Sequence, residues 1–214
     1  MKQENAVLTT AEQTPAAEWQ RDFDARIAVR AVKEKFFTAA RVAQIAVLSA
    51  LAYLVTFIEF PVFPAADFLK LDFANVFVLM GGFMYGPLTA LTISGVKELL
   101  SLLDTKTAGI GELANFILTF SFVIIPTFVY RYKKGIKTVI ATLSAGTVVL
   151  VGASLLTNRY INFPLYEKFL GMSAAEAFGL MWWYVALFNL IKGVAVSLVT
   201  VLIYKRVSFL LKKI

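Results

Sequence analysis

Two polar residues inside a lipid-soluble run are the part of this chain best equipped for chemistry. In MWWYVALFNLIKGVAVSLVTVLIY, residues 181–204, Asn189 and Lys192 stand three apart among apolar neighbours. A lysine at membrane depth costs about 2.5–3.5 kcal/mol on insertion scales, so its presence there marks a functional position by default. An asparagine side chain both donates and accepts hydrogen bonds, whereas a lysine only donates. Together they suit recognition of a small molecule's polar edge. Bond-making chemistry has little to work with. The chain has no cysteine and no histidine, hence no thiolate and no imidazole base or metal ligand. It has no Gly-x-Ser-x-Gly elbow and no phosphate-cradling glycine loop. Ser94 and Lys97 do have Ser-x-x-Lys spacing in SGVK, but Lys97 reads better as a ligand contact or ion-pair residue. The expectation is a binding protein and not an enzyme.

Other polar groups join this pair. Lys97 has Ser94 and Ser101 on its helical face and Glu98 beside it, as an ion-pair partner unless Lys97 snorkels to the interface. Glu112 and Asn115 are three apart, with Thr119 continuing their stripe, and Ser154 and Asn158 are four apart. Each has a plain alternative: Ser and Thr bond their own helix backbone, and Asn joins helices at about 0.6 kcal/mol per contact. Placed by depth, however, the charged and amide groups all fall in one half of the segments that carry them. That pattern predicts a cavity open on one side of the membrane.

The elements that must position them are apolar helices. The 214 residues are 59% hydrophobic and 16% charged, with a mean hydropathy of +0.73. This exceeds what one soluble core absorbs, so a polytopic membrane protein is expected. Six apolar segments are legible: about 36–58, 73–85, 88–103, 112–130, 136–158 and 178–204. The second and third are short for a bilayer core of about 30 Å, and Gly86-Pro87 marks a sharp turn between them. The net charge of +7 is not spread as a nucleic-acid patch. Lys33, Lys35, Arg41, Arg131, Lys133, Lys134, Lys137, Lys205, Arg206, Lys212 and Lys213 flank one set of segment ends, against only Lys70, Lys106, Arg159 and Lys168 on the other. The positive-inside bias predicts six spans with both termini cytoplasmic. The site then faces outward.

Residues 1–35 read as a cytoplasmic extension, without a signal-peptide core or lipidation motif. Thr14 and Pro15 resemble a helix start, and Trp19, Phe23 and Ile27 recur at helical spacing with Arg26, Arg30 and Lys33 elsewhere on the wheel. A helix on the anionic inner leaflet and a loosely ordered tail are both compatible with this stretch. Residues 36–214 form the second expected unit, a transmembrane binding domain. The loop EFPVFPAADFLKLDF, 59–73, is too apolar for an ordinary exterior loop, with Phe63, Phe68, Leu69 and Leu71. It reads either as a lid on the cavity or as a loop resting in the headgroups. Along the first segment, Ala39, Ala43, Ala46 and Ala50 place small residues near one face, for close packing within the monomer or against a partner.

These stretches resemble a known family. LKLDFANVFVLMGGFMYGPLTALTISGVKELLSLL is similar to the first loop and helices two and three of the substrate-binding S components of energy-coupling factor (ECF) vitamin transporters. GIGELANF, LTNRYINFPLY and FNLIKG look like the riboflavin-specific branch, and the resemblance covers about residues 36–205. One departure is FANVFVL, where Asn75-Val76 replaces the acid and proline more usual in the family.

The resemblance implies a six-helix bundle that takes riboflavin from outside. It also implies a transmembrane coupling subunit and two cytoplasmic ATPases as partners, in a bacterial cell membrane. Carried over by motif, Phe68, Leu69, Asn158, Asn189 and Lys192 would touch the ligand, with Glu112 and Asn115 close by and Lys97 a further candidate. Ala43, Ala46 and Ala50 would meet the coupling subunit. Aromatic walls for the flat ring system are expected from Phe68, Trp182, Trp183 and Tyr184. Alternatives keep the architecture but change the vitamin (folate, thiamine or biotin), or make the chain a solitary carrier. The carrier would want a carboxylate relay through the bilayer, and no acid continues inward from Glu98 and Glu112.

Overall fold

A computed structural model describes residues 18–21, 23–24, 38–66, 68–105, 107–170 and 173–211, with side chains omitted for 168–170 and 207–211. By packing, the chain divides into two units, Met1–Gln44 and Ile45–Ile214. In the first, residues 18–21 and 23–24 are helical, and Trp19 and Phe23 are exposed. The remaining marks of the expected surface helix (Thr14, Pro15, Arg26, Ile27, Arg30 and Lys33) lie outside the described residues, as do Asp67 and Lys106.

Among the remaining described residues run seven α-helices: α1 (Ala39–Thr56), α2 (Ala74–Tyr85), α3 (Pro87–Ser101), α4 (Ile110–Tyr132), α5 (Ile136–Thr157), α6 (Phe163–Leu170) and α7 (Ala174–Leu211). The short strands β1 (Phe60–Pro61) and β2 (Lys70–Leu71) pair antiparallel in the loop before α2. Successive helices reverse direction, so that the starts of α2, α4 and α7 and the ends of α1, α3 and α5 share one end of the bundle. It is called the loop end here.

Local chemistry sets the boundaries. Gly86 adopts φ +93°, which an L side chain resists, and Pro87 opens α3 with the preset φ of a first helical turn. Ser173 and Glu176 form a reciprocal cap at the start of α7, in which each side chain takes the other's backbone N–H. The fifth segment does not stop near residue 158 as expected. It continues through a wide π turn, Asn158–Asn162, into α6. Pro164 has no N–H to return to Tyr160, and the backbone at Phe163 bonds back five residues to Asn158 instead.

Among the described residues, four stretches are long and apolar enough to cross a membrane: Ala39–Thr56, Ile110–Tyr132, Ile136–Glu167 and Ala174–Arg206. At 1.5 Å per residue, α2 and α3 reach only about 18 and 22 Å. Burial runs opposite to that of a water-soluble protein. Leu99, Val148, Leu156, Leu198 and Leu202 are exposed, while Ser49, Asn75, Ser94, Thr147, Asn158 and Asn189 are buried. The fold is an all-α membrane protein whose core, apart from the polar groups near the loop end, is aliphatic and aromatic.

Candidate functional site

Near the loop end the helices stand apart around a cavity of about 570 Å³. All eight residues expected to touch a ligand line it: Phe68, Leu69, Lys97, Glu112, Asn115, Asn158, Asn189 and Lys192. They arrive from five places in the chain, the 59–73 loop, α3, α4, the α5–π junction and α7.

The floor is made by close helix crossings. Pro126 inside α4 cannot donate to the carbonyl of Phe122. That carbonyl faces α5 at Gly146, where a Cβ would lie 2.6 Å from its oxygen. A Cβ on Gly193 of α7 would lie 2.6 Å from the Thr147 methyl. One turn toward the loop end from these contacts come Leu118, Leu150 and Asn189, all lining the cavity. Small residues therefore bring the helices together immediately below the hollow.

Two ion pairs occupy its interior. Lys192 Nζ donates to Asp72 Oδ2 at 2.7 Å, and both side chains are nearly buried. The Lys192 ammonium also lies 6.0 Å from the Phe188 ring centre. Burial alone would push the Asp72 carboxyl up. Lys192 and Lys97 nearby, with hydrogen bonds from Lys192 and the Ala74 N–H, hold it down at about 2. Lys97 and Glu98 form the second pair at 2.6 Å, with 5% and 8% of their side chains exposed. This resolves the open reading of Lys97 in favour of the ion pair, since at that burial it does not snorkel. The protein partner of Lys192 thus comes from the loop and not from a neighbouring helix.

The amides are part-used. Asn189 Nδ2 donates to the Val185 carbonyl at 2.9 Å, leaving its second N–H and its Oδ1 without a protein partner among the described residues. Asn158 Nδ2 donates to the Ser154 carbonyl at 2.9 Å, and its Oδ1 accepts from Asn162 Nδ2 at 3.2 Å. Asn75, where the family pattern departs, accepts the Thr119 hydroxyl at 3.0 Å. A neutral amide there meets a neutral partner. Glu112 accepts the Thr107 hydroxyl at 2.9 Å, and Asn115 is exposed at the rim.

The aromatic walls differ from expectation. Phe68 lines the cavity edge against Phe163, but Trp182 and Trp183 are 49% and 44% exposed and do not line it. Tyr184 stacks on Trp183 and meets Phe63 of the loop edge-on. One turn outward from Phe188, α7 no longer faces the hollow but the underside of the loop. Tyr53, Phe57, Tyr166 and Phe188 are the other aromatic lining residues, beside Leu69, Leu118 and Leu150. The loop is anchored inward by Ala66, Leu69 and Leu71, which pack on Phe188. Its aromatic residues divide, Phe63 being half-buried and Phe60 and Phe68 exposed.

Sequence reasoning missed Asp72, Asn75, Asn162 and Tyr166 as lining residues. Asp72 was legible as a residue placed to bond the first N–H of α2, and Asn162 and Tyr166 as successive i, i+4 partners of Asn158.

Comparison with known proteins agrees with this architecture. Residues 40–204 match the family described as ECF transporter, substrate-specific component. The riboflavin transporter RibU of Staphylococcus aureus (strain TCH60) is 32% identical over 176 residues, 81% of this chain and 93% of its own. RibU of Streptococcus thermophilus (strain ATCC BAA-250 / LMG 18311) is 33% identical over 183 residues, 81% of this chain and 85% of its own. Riboflavin transporter FmnP of Bacillus subtilis (strain 168) is 28% identical over 166 residues, 75% of this chain and 87% of its own. The solved structure of the S component of a bacterial ECF transporter superposes with a TM-score of 0.70 at 32% identity, covering 81% of this chain and 98% of that one.

Proposed function

Because the chain belongs to the substrate-specific components of ECF transporters, we propose that it captures riboflavin for an ATP-driven importer. The observation that carries this reading is the convergence of Asn158, Asn189 and Lys192 on one cavity that Leu69, Leu118, Leu150 and Phe188 also line. The pyrimidine-like edge of a flavin presents two carbonyl acceptors around one N–H donor. The free Oδ1 of Asn189 complements the donor, and its second N–H, the remaining Lys192 protons and the second Asn158 N–H complement the acceptors. Leu69, Leu118, Leu150 and Phe188 supply contact for the rings. A ligand without that edge would strand these groups, which is the source of selectivity.

The proposed membrane arrangement has six crossings, α1 to α5 and α7, with both termini in the cytoplasm of a bacterium and the loop end outside. Residues 1–35 form a cytoplasmic extension and 36–214 the transmembrane binding domain. Ala43, Ala46 and Ala50, exposed on α1, would face a transmembrane coupling subunit that also engages two cytoplasmic ATPases. The chain holds no P-loop sequence of its own, so energy has to come from such partners.

Mass spectrometry of the purified protein, with titration of riboflavin fluorescence, tests the ligand. Co-purified flavin and quenching on binding are expected. Neither flavin nor quenching would end the riboflavin reading. In liposomes the chain alone is expected to bind riboflavin without accumulating it, and concentrative uptake would make it a solitary carrier.

A further inference from the structure

The side-chain oxygen of Asn162 is buried on the cavity wall and has no hydrogen-bond partner among the described residues. Its orientation is dictated by a relay. The Ser154 carbonyl can only accept, so the Asn158 amide must turn its NH₂ toward it and its oxygen toward Asn162. Asn162 must then present its own NH₂ to Asn158, which leaves its Oδ1 as the unused end. A buried acceptor left unmade is unfavourable, so this position calls for a donor that the described residues do not supply. It also lies on a π turn, a distortion common where helices carry function.

We propose that Asn162 is a further specificity residue, whose Oδ1 accepts a hydroxyl of the ligand's polyol arm. The inference rests on the riboflavin reading and deepens it. Asn158, Asn162 and Tyr166 follow one another up the wall toward the loop end, four residues apart in the chain. If the pyrimidine edge sits at Asn158, Asn189 and Lys192, the arm carried by the middle ring comes to lie about one turn farther out. There the wall offers acceptors: Asn162 Oδ1, the Glu112 carboxylate and the Asp104 carboxylate. Hydroxyl donors match that set, and a flat apolar substituent would leave the Asn162 oxygen stranded.

Lumiflavin keeps the tricycle and its polar edge but carries a methyl group in place of the polyol. Affinities of both flavins are measured for the wild-type protein, Asn162→Ala and Asn162→Leu, each variant checked for an unchanged melting temperature. The expected result is that the preference for riboflavin over lumiflavin falls roughly three- to tenfold in the variants, the loss of one hydrogen bond. The leucine variant carries the test if alanine leaves an unstable cavity. An unchanged preference overturns the inference, whether both affinities drop together (Asn162 acting through Asn158) or neither moves (water satisfying the oxygen). Wild-type protein that binds neither flavin overturns the riboflavin reading itself, and this inference with it.

Discussion

The same helices behave differently at the middle of the bundle and at its loop end. In the middle, Gly146 lies under the Phe122 carbonyl, Gly193 against Thr147 and Gly82 against Thr127. Farther from the loop end, Phe83, Tyr130 and Tyr204 pack together, with a 3.2 Å hydrogen bond between the two hydroxyls. One turn the other way the helices part, and charged and amide side chains take over the interior. Tight packing is achieved where side chains are small or absent, and a hollow persists where larger polar side chains hold the walls and bond each other or their own backbones. The close crossings of the floor set the helix spacing that frames the hollow above it.

The most severe way to break this contrast is to fill the floor. Gly146→Leu would drive a side chain into the Phe122 backbone, which cannot yield as a side chain could. Loss of monodisperse folded protein in detergent is expected. Gly146→Ala should still fold but lose about 1–3 kcal/mol, the usual range for overpacking, visible as a lowered melting temperature. Gly152, with nothing near its would-be Cβ, is the control, and Gly152→Ala should leave stability unchanged.

Next in size are losses on the polar side. Asn189→Ala should weaken riboflavin binding roughly ten- to hundredfold by stranding the ligand's edge, with little change in melting temperature. Full affinity in the variant would remove Asn189 from the site. Asp72→Asn keeps the shape and the bond from the Ala74 N–H acceptable but removes the charge that faces Lys192. If Asp72 acts by holding that ammonium, a double-mutant cycle with Lys192→Met should show coupling of about 1 kcal/mol or more in binding. Additive losses would mean that the two act separately.

The smallest expected effect is that of mild acid. The Asp72 carboxyl is held at about 2, below its ordinary 3.8, so its stabilising contribution is fully present above the ordinary value. It is lost only as pH falls through about 2. Lowering pH from 7 to 5 should therefore leave the Asp72–Lys192 tie intact. Melting temperature against pH, for wild type and Asp72→Asn, checks this: the variants' difference should be flat from pH 7 to 5 and shrink only in strong acid.

Much of the site was legible in the sequence, for a simple reason. A polar side chain in an apolar helix is conspicuous, and helical spacing gathers such residues on one face. Asn189 with Lys192 and Asn158 with Ser154 were found that way, and all eight expected residues do line the cavity. Trp182 and Trp183 show the limit of that reasoning. Aromatic type alone made them wall candidates, yet whether a position faces a hollow, a loop or lipid depends on where neighbouring chain segments end. Asp72 shows the same limit from the other side: its place just before α2 was legible, but its pairing with Lys192, 120 residues away, was not.

By itself, the sequence determined the class of molecule, the approximate apolar segments and the side chains too polar to be left to lipid, because hydropathy and helical period are local properties. Only the tertiary structure decided what satisfies them. Lys192 meets Asp72 across 120 residues, the Phe122 carbonyl meets a glycine of the next helix, and Asn162 is left with an oxygen that no described residue bonds. Hydrogen bonds and steric contact act over a few ångströms, so partners distant in the chain are chosen by how the helices pack.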